Sequence, residues 1–295
     1  MPMLPSRELL TLEEIELVVR AFSGLGVKKV RLTGGEPLLR RGIIGLSEDL
    51  YRIPDIAEVC ITTNGVLLGE YAPALFTAGL RHVNISLDTL RPERFKEITG
   101  KDLFHRVIEG IDLVVGLGFF PVKINTVLLK EFNVDEILDF AKMTIERRLE
   151  WRFIEYMPIG AGCRWSRRHV FTVDEARAAI ERAFGPLEEV YPRGKWHGPA
   201  RLFRIQGGKG LLGFISPMTH HFCNSCNRVR LTPDGRLRLC LFSDHEINLK
   251  EKVRAGISHD ELVDFLKHAV YEKPLGPMAE NEGPGCTRFM RTIGG

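Results

Sequence analysis

Cys223, Cys226 and Cys240 stand at C-x2-C-x13-C spacing within FCNSCNRVRLTPDGRLRLCLF. Thiolates are preferred ligands of zinc and of iron–sulfur clusters, and three of them leave a four-ligand site one short. RVRLT and RLRLC alternate polar with apolar residues on either side of Pro233-Asp234-Gly235, which predicts a hairpin turning at Asp234. Folding there lays Cys240 back against Cys226 and Arg228, while Cys223 arrives from the preceding loop. His220 and His221 in THHFC are local candidates for a fourth ligand, as in a Cys3His zinc site. Composition does not choose between zinc and iron. Arg228 and Arg230 alternate along one strand face beside the cysteines, where two guanidiniums suit a phosphate chain through forked hydrogen bonds. The bland alternative is a solvated edge, kept charged by this pair with Arg236 and Arg238 opposite. No G-x-x-x-x-G-K-[ST] occurs, so a nucleotide triphosphate would not be held by a P-loop.

The elements that must position these residues are legible upstream. TLEEIELVVRAFSGLG opens on a capping box, Thr11 with Glu14, and carries apolar residues at helical spacing. Strands follow, centred near Arg31, Ile61, Ile85, Ile124 and Phe153, with helical stretches HRVIEGIDLVVGLG and VDEILDFAKMTIE among them. Such alternation implies βα units and a parallel sheet. The strands end in TGGEP, TTNG, SLDT, NTV and EYMP, and ligands of α/β folds bind at the C-terminal ends of strands. Turn geometry alone explains one such end; five together favour a binding edge. After the helix FTVDEARAAIERAFG, capped by Thr172 with Glu175, the βα rhythm is lost. LFRI and LLGFIS read as short antiparallel strands. Two regions are therefore expected, 1–185 and 186–295.

The chain has 295 residues, 44% of them apolar, and a net charge of +3, the profile of a globular protein with no strong bias toward nucleic acid. No apolar run is long enough to span a bilayer, and MPMLPSRELL has no basic segment leading into an apolar core. Six cysteines in such a chain read as thiols or metal ligands of a reducing cytoplasm rather than a disulfide framework. Cys60, Cys163 and Cys286 read as packed or incidental thiols.

RLTGGEPLLR, TTNG, NISLDTL, KINTVLLK, EYMPIG, the cysteine run with its NRVRLTPDG continuation and a terminal Gly294–Gly295 occur in the order of one known family. The chain resembles the GTP 3′,8-cyclases of molybdenum-cofactor biosynthesis, which are radical S-adenosylmethionine (SAM) enzymes, from about residue 1 to its C-terminus. The resemblance implies an α/β fold, a partial parallel (βα) barrel of radical SAM type with a smaller C-terminal cluster-binding region. It implies a [4Fe-4S] cluster on Cys223, Cys226 and Cys240 whose open iron faces GTP. By motif position, Arg31, Thr62, Lys123, Arg228 and Arg230 would contact GTP, and Gly34, Gly35, Glu36, Ser86 and Met157 would contact SAM. The reaction implied joins the ribose 3′ carbon to guanine C8, and the product would pass to a cyclic pyranopterin monophosphate synthase. A homodimer and a Gly-Gly tail reaching the site belong to the same expectation. Members of the family carry a C-x3-C-x2-C motif for a first, SAM-binding cluster, commonly followed by Met-Pro. This chain begins Met1-Pro2, so its start is expected to fall just after that motif. The alternatives are a GTP-binding iron–sulfur relative without the first cluster and a zinc-knotted structural α/β protein.

Overall fold

The computed structural model describes residues 5–160, 166–191, 198–274 and 286–293. Met1, Pro2, Cys163 and the Gly294–Gly295 tail lie outside the described residues. In chain order the elements begin with α1 (Leu12–Gly24), β1 (Lys29–Leu32), α2 (Ile43–Tyr51), β2 (Glu58–Thr63), α3 (Leu68–Thr77) and β3 (His82–Ser86). Next come α4 (Pro92–Thr99), α5 (Phe104–Gly116), β4 (Val122–Leu128), α6 (Ile137–Glu146), β5 (Leu149–Glu155) and α7 (Val173–Phe184). The short strands β6 (Glu188–Val190), β7 (Arg201–Arg204), β8 (Leu211–Ile215), β9 (Arg230–Leu231), β10 (Arg236–Arg238) and β11 (Ile247–Asn248) follow. Two helices, α8 (Leu249–Arg254) and α9 (His259–Tyr271), complete the set.

Packing divides the chain into two compact units. The first comprises Met1–Cys60, Pro158–Cys163 and Cys223–Gly295; the second comprises Ile61–Met157 and Arg164–Phe222. In the second unit the strand order runs β2-β3-β4-β5-β8-β7-β6 from the last half of β2 onward. β3, β4, β5 and β8 pair in parallel, whereas β7 and β6 return antiparallel. The parallel pairs are the arrangement that βα alternation dictates. β4 alternates strictly, with Val122, Ile124, Thr126 and Leu128 buried on one face. That face meets an aromatic core in which Trp151 stacks on Phe140 at 5.0 Å between ring centroids and Phe153 on Phe214 at 5.7 Å. The Trp151 indole N–H donates to Thr126 Oγ1 at 2.9 Å, so its one polar atom is satisfied within the core.

The expected division near residue 185 falls inside this second unit, at the end of α7. Antiparallel strands without helices read like the start of a new region, but β8 completes the open side of β5. Unpaired backbone on a buried strand such as β5 would be costly, and β8 removes that cost.

In the first unit α1 starts where the capping box predicts: Thr11 Oγ1 accepts from the Glu14 N–H at 3.2 Å and Glu14 Oε2 from the Thr11 N–H at 2.8 Å. α9 is capped in the same way by Ser258 and Glu261. Val18, Ala21 and Phe22 of α1 share one core with Leu262, Leu266 and Ala269 of α9, Leu249 and Val253 of α8, and Leu237 and Leu239. β9, β10 and β11 form a three-stranded antiparallel sheet with β10 in the middle.

Candidate functional site

The cysteine hairpin forms at the expected turn. Thr232 N–H donates to the Arg236 carbonyl at 2.8 Å and Gly235 N–H to the Thr232 carbonyl at 2.9 Å. Gly235 sits at φ 76°, a left-handed position, and a Cβ there would come within 2.5 Å of Lys250 Cβ. Glycine is demanded twice over, by backbone and by neighbour. Arg230 pairs with Arg238 and Leu231 with Leu237, and the same register continued places Arg228 opposite Cys240. Cys223–Ser225 makes one tight helical turn, and the Cys226 N–H donates back to the Cys223 carbonyl at 3.0 Å. All three thiols are half-buried.

Their electrostatics differ. Burial pushes the Cys223 thiol up, and the charges of Cys240 and Cys226 add to the rise. At Cys226 burial acts in the same direction, but the Arg228 N–H and the Arg228 and Lys273 charges outweigh it and hold the thiol below its ordinary value. Burial lowers Arg230 to about 10, with the Arg228 charge adding to the fall and the Cys226 and Cys240 thiolates opposing it. Among the described residues no three His, Cys, Asp or Glu side chains close on one point as a single metal ion requires.

The solvated-edge reading of the four arginines does not hold for Arg238. It is 0% exposed, donates to Glu246, the Ser243 carbonyl and Cys286 Sγ (3.1 Å), and stands on a strand covered on both sides. β11, only two residues long, supplies the second side and was invisible to periodicity. Cys286 and Cys60 are buried, as packed thiols should be.

Other expected ligand contacts lie on the strands or in the turns that follow them, within each unit. In the first, Arg31 is exposed on β1 and the chain then turns through Gly34 at φ 149°, a conformation side chains rarely adopt. Gly35 is exposed, and Glu36 Oε1 accepts from the Leu38 N–H at 3.1 Å, capping the short helical turn Pro37–Leu39. In the second, Thr62 is buried and accepts from Asn84 Nδ2 at 3.2 Å, and Ser86 is exposed at the end of β3. Lys123 lies on β4 beside Asn84 and Glu150, and Met157 follows β5 half-buried.

Sequence reasoning missed the rest of this polar face. Registers place Ser86, Asn125, Arg152 and Gly213 in one row across β3, β4, β5 and β8. The period-2 alternation of KINTVLL was the available signal. Asn125 Oδ1 is buried and accepts no hydrogen bond from the described residues, while Arg152 is buried with Glu150 at 2.5 Å. Beyond β3, Asp88 accepts the Val127 N–H at 2.8 Å, and burial lifts its carboxyl to about 6. Glu155, at the end of β5 and fully buried, accepts from the Met218 and Thr219 N–H groups at 3.0 Å and the Thr219 hydroxyl at 2.5 Å. His220 is engaged by Asp174 at 2.7 Å.

Residues 2–144 match the Radical SAM superfamily and residues 149–277 match Molybdenum Cofactor Synthesis C. A GTP 3′,8-cyclase of Thermodesulfovibrio yellowstonii is 45% identical over 293 residues, 99% of this chain and 89% of that protein. Those of Alkaliphilus metalliredigens and Moorella thermoacetica are 42% and 44% identical, covering 98% and 100% of this chain and 88% and 90% of theirs. Among solved structures, Streptococcus suis SuiB superposes with a TM-score of 0.59 at 15% identity, over 96% of this chain and 71% of that one, which is a likeness of fold.

Proposed function

This chain belongs to the GTP 3′,8-cyclases, a family of the radical SAM superfamily, and on that premise we propose that its cysteine hairpin carries the iron–sulfur cluster at which GTP is held for cyclisation. The observation that supports this reading is the hairpin register, which returns Cys240 to the strand that follows Cys226 while the thiol charges act on one another. Three thiolates, each taking its own iron, leave one iron of a [4Fe-4S] cluster open, and thiolates are the donors such clusters take. When bound, the cluster would supply a Lewis-acidic iron to the nucleotide.

The chain's own residues bind, orient and exclude water. Arg228 and Arg230 hold the triphosphate, because guanidiniums fork onto phosphate oxygens and burial sharpens the attraction. Arg31, Thr62 and Lys123 complete the GTP contacts. Gly34, Gly35, Glu36, Ser86 and Met157 receive SAM, the glycine backbone leaving carbonyls open to its ammonium group. On this reading region 1–185 receives SAM and part of GTP, and region 186–295 carries the cluster together with the arginines that hold the triphosphate. The sequence contains no C-x3-C-x2-C set, and Cys60 and Cys286 are buried, so the residues present do not fit a SAM-binding cluster. Thiolate ligation favours a reducing compartment, and no helix among the described residues is long and apolar enough to cross a membrane. By resemblance, the cyclised nucleotide passes to a cyclic pyranopterin monophosphate synthase.

The test is anaerobic reconstitution with iron and sulfide, followed by GTP titration. A full cluster's iron and acid-labile sulfide, lost in Cys240→Ser, is the expected result. Zinc at full occupancy without sulfide would sink the reading.

A further inference from the structure

Lys273 follows the last turn of α9, its N–H returned to the Val270 carbonyl at 3.1 Å. α9 cannot slide, because Leu262, Leu266 and Ala269 are buried in one core with Leu237 and Leu239 of the hairpin. The ammonium group is therefore delivered to a set place. It donates to the Arg228 carbonyl at 2.8 Å and to the Leu239 carbonyl. These carbonyls lie on the two arms of the hairpin, just beyond the last paired residues, Arg230 and Arg238. The strand ladder stops there, and Cys226 and Cys240 lie past its end. A single ammonium with three donors spans the gap that the ladder leaves. Leu239 immediately precedes Cys240 and Arg228 lies two residues after Cys226, so the ammonium charge is held next to the two thiol-bearing segments.

Resting on the cluster reading above, we propose that Lys273 is a positioning residue of the three-cysteine site: it clamps the open end of the hairpin and sets a fixed positive charge beside the cluster. A lysine that merely packed would be replaceable by methionine, which has a similar apolar stem. A clamp and charge would not be replaceable in that way, but arginine keeps both. A positive charge stabilises the reduced, more negative cluster, so removing it lowers the midpoint potential.

The experiment compares the full chain with Lys273→Met, Lys273→Gln and Lys273→Arg. Hydrogen exchange is read on the metal-free chain over 226–231 and 236–240. About tenfold faster exchange is expected in Lys273→Met, with Lys273→Arg close to the original chain. In the reconstituted chain the cluster potential moves negative in Lys273→Met and Lys273→Gln and returns in Lys273→Arg. Unchanged exchange in Lys273→Met, or an unshifted potential in both neutral variants, overturns the proposal. Where Lys273→Met fails to fold, the Gln and Arg variants decide it by the same potential. A reconstituted original chain without a cluster overturns the cluster reading instead, and exchange on the metal-free chain still decides the clamp.

Discussion

Arg230 is held half-buried beside two thiols, and burial lowers its pKa to about 10. It stays charged at neutral pH, where water no longer dilutes its pull on an anion. Truncating Arg228 or Arg230 to alanine is expected to weaken GTP about tenfold to a hundredfold, the range of a charge-assisted hydrogen bond. Calorimetric titration checks this, and unaltered affinity in both variants rules out the phosphate clamp. Asp88 is the opposite case, an acid lifted to about 6 by burial. Its folded form binds the proton more tightly than the unfolded chain does, so this group costs stability as pH rises from about 4 to about 6 and no more above that. Asp88→Asn keeps an acceptor for the Val127 N–H and removes the buried charge. Unfolding in urea should show a gain on the order of 2 kcal/mol at pH 7 and little at pH 4. A variant less stable at pH 7 than the original would contradict that cause.

At the scale of the element, the hairpin turn carries the most consequence per residue. Gly235→Ala meets both a left-handed backbone and Lys250, and a loss of about 2–3 kcal/mol in denaturant unfolding is expected. Iron retained after reconstitution should fall with it, because the turn sets where Cys240 returns. Retained stability would mean that the turn relaxes freely. Glu155 braces another element: its carboxylate receives the Met218 and Thr219 donors that precede the cysteine run in sequence. Glu155→Gln turns one acceptor into a donor facing donors, and about 2–4 kcal/mol should be lost, measured in the same way. α1 and the five upstream strands were legible because capping boxes and alternation are local signals. α9 carries the same signal, Ser258 with Glu261, and could have been found. β11 could not: two residues hold no period, and they are a strand only because β10 lies beside them.

For the whole molecule, ligand binding is the broadest test. GTP at a hundredfold over its dissociation constant should raise the unfolding free energy of the reconstituted chain by about 2.7 kcal/mol. The double variant Arg228→Ala, Arg230→Ala should gain far less at the same concentration, and an equal gain would place the nucleotide elsewhere. The family was readable from sequence alone because its motifs are short, ordered and chemically constrained. Curated relatives at 42–45% identity agree. The pairing of β8 with β5 across more than fifty intervening residues was not readable from sequence, because no local signal links the two strands.

What the sequence by itself determined is the kind of chemistry: thiols at cluster spacing, a hairpin that returns the third, glycines where a strand breaks, and cations beside them. These follow from covalent spacing and local backbone preference, which act over a few residues. Only tertiary structure decided which charges are spent inside the fold. Arg236 and Arg238 read alike in RLRLC, yet Arg238 is sealed against Glu246 and Cys286 while Arg230 faces the thiols. Burial and partnership are set by what packs from elsewhere in the chain, and no short window contains that neighbour.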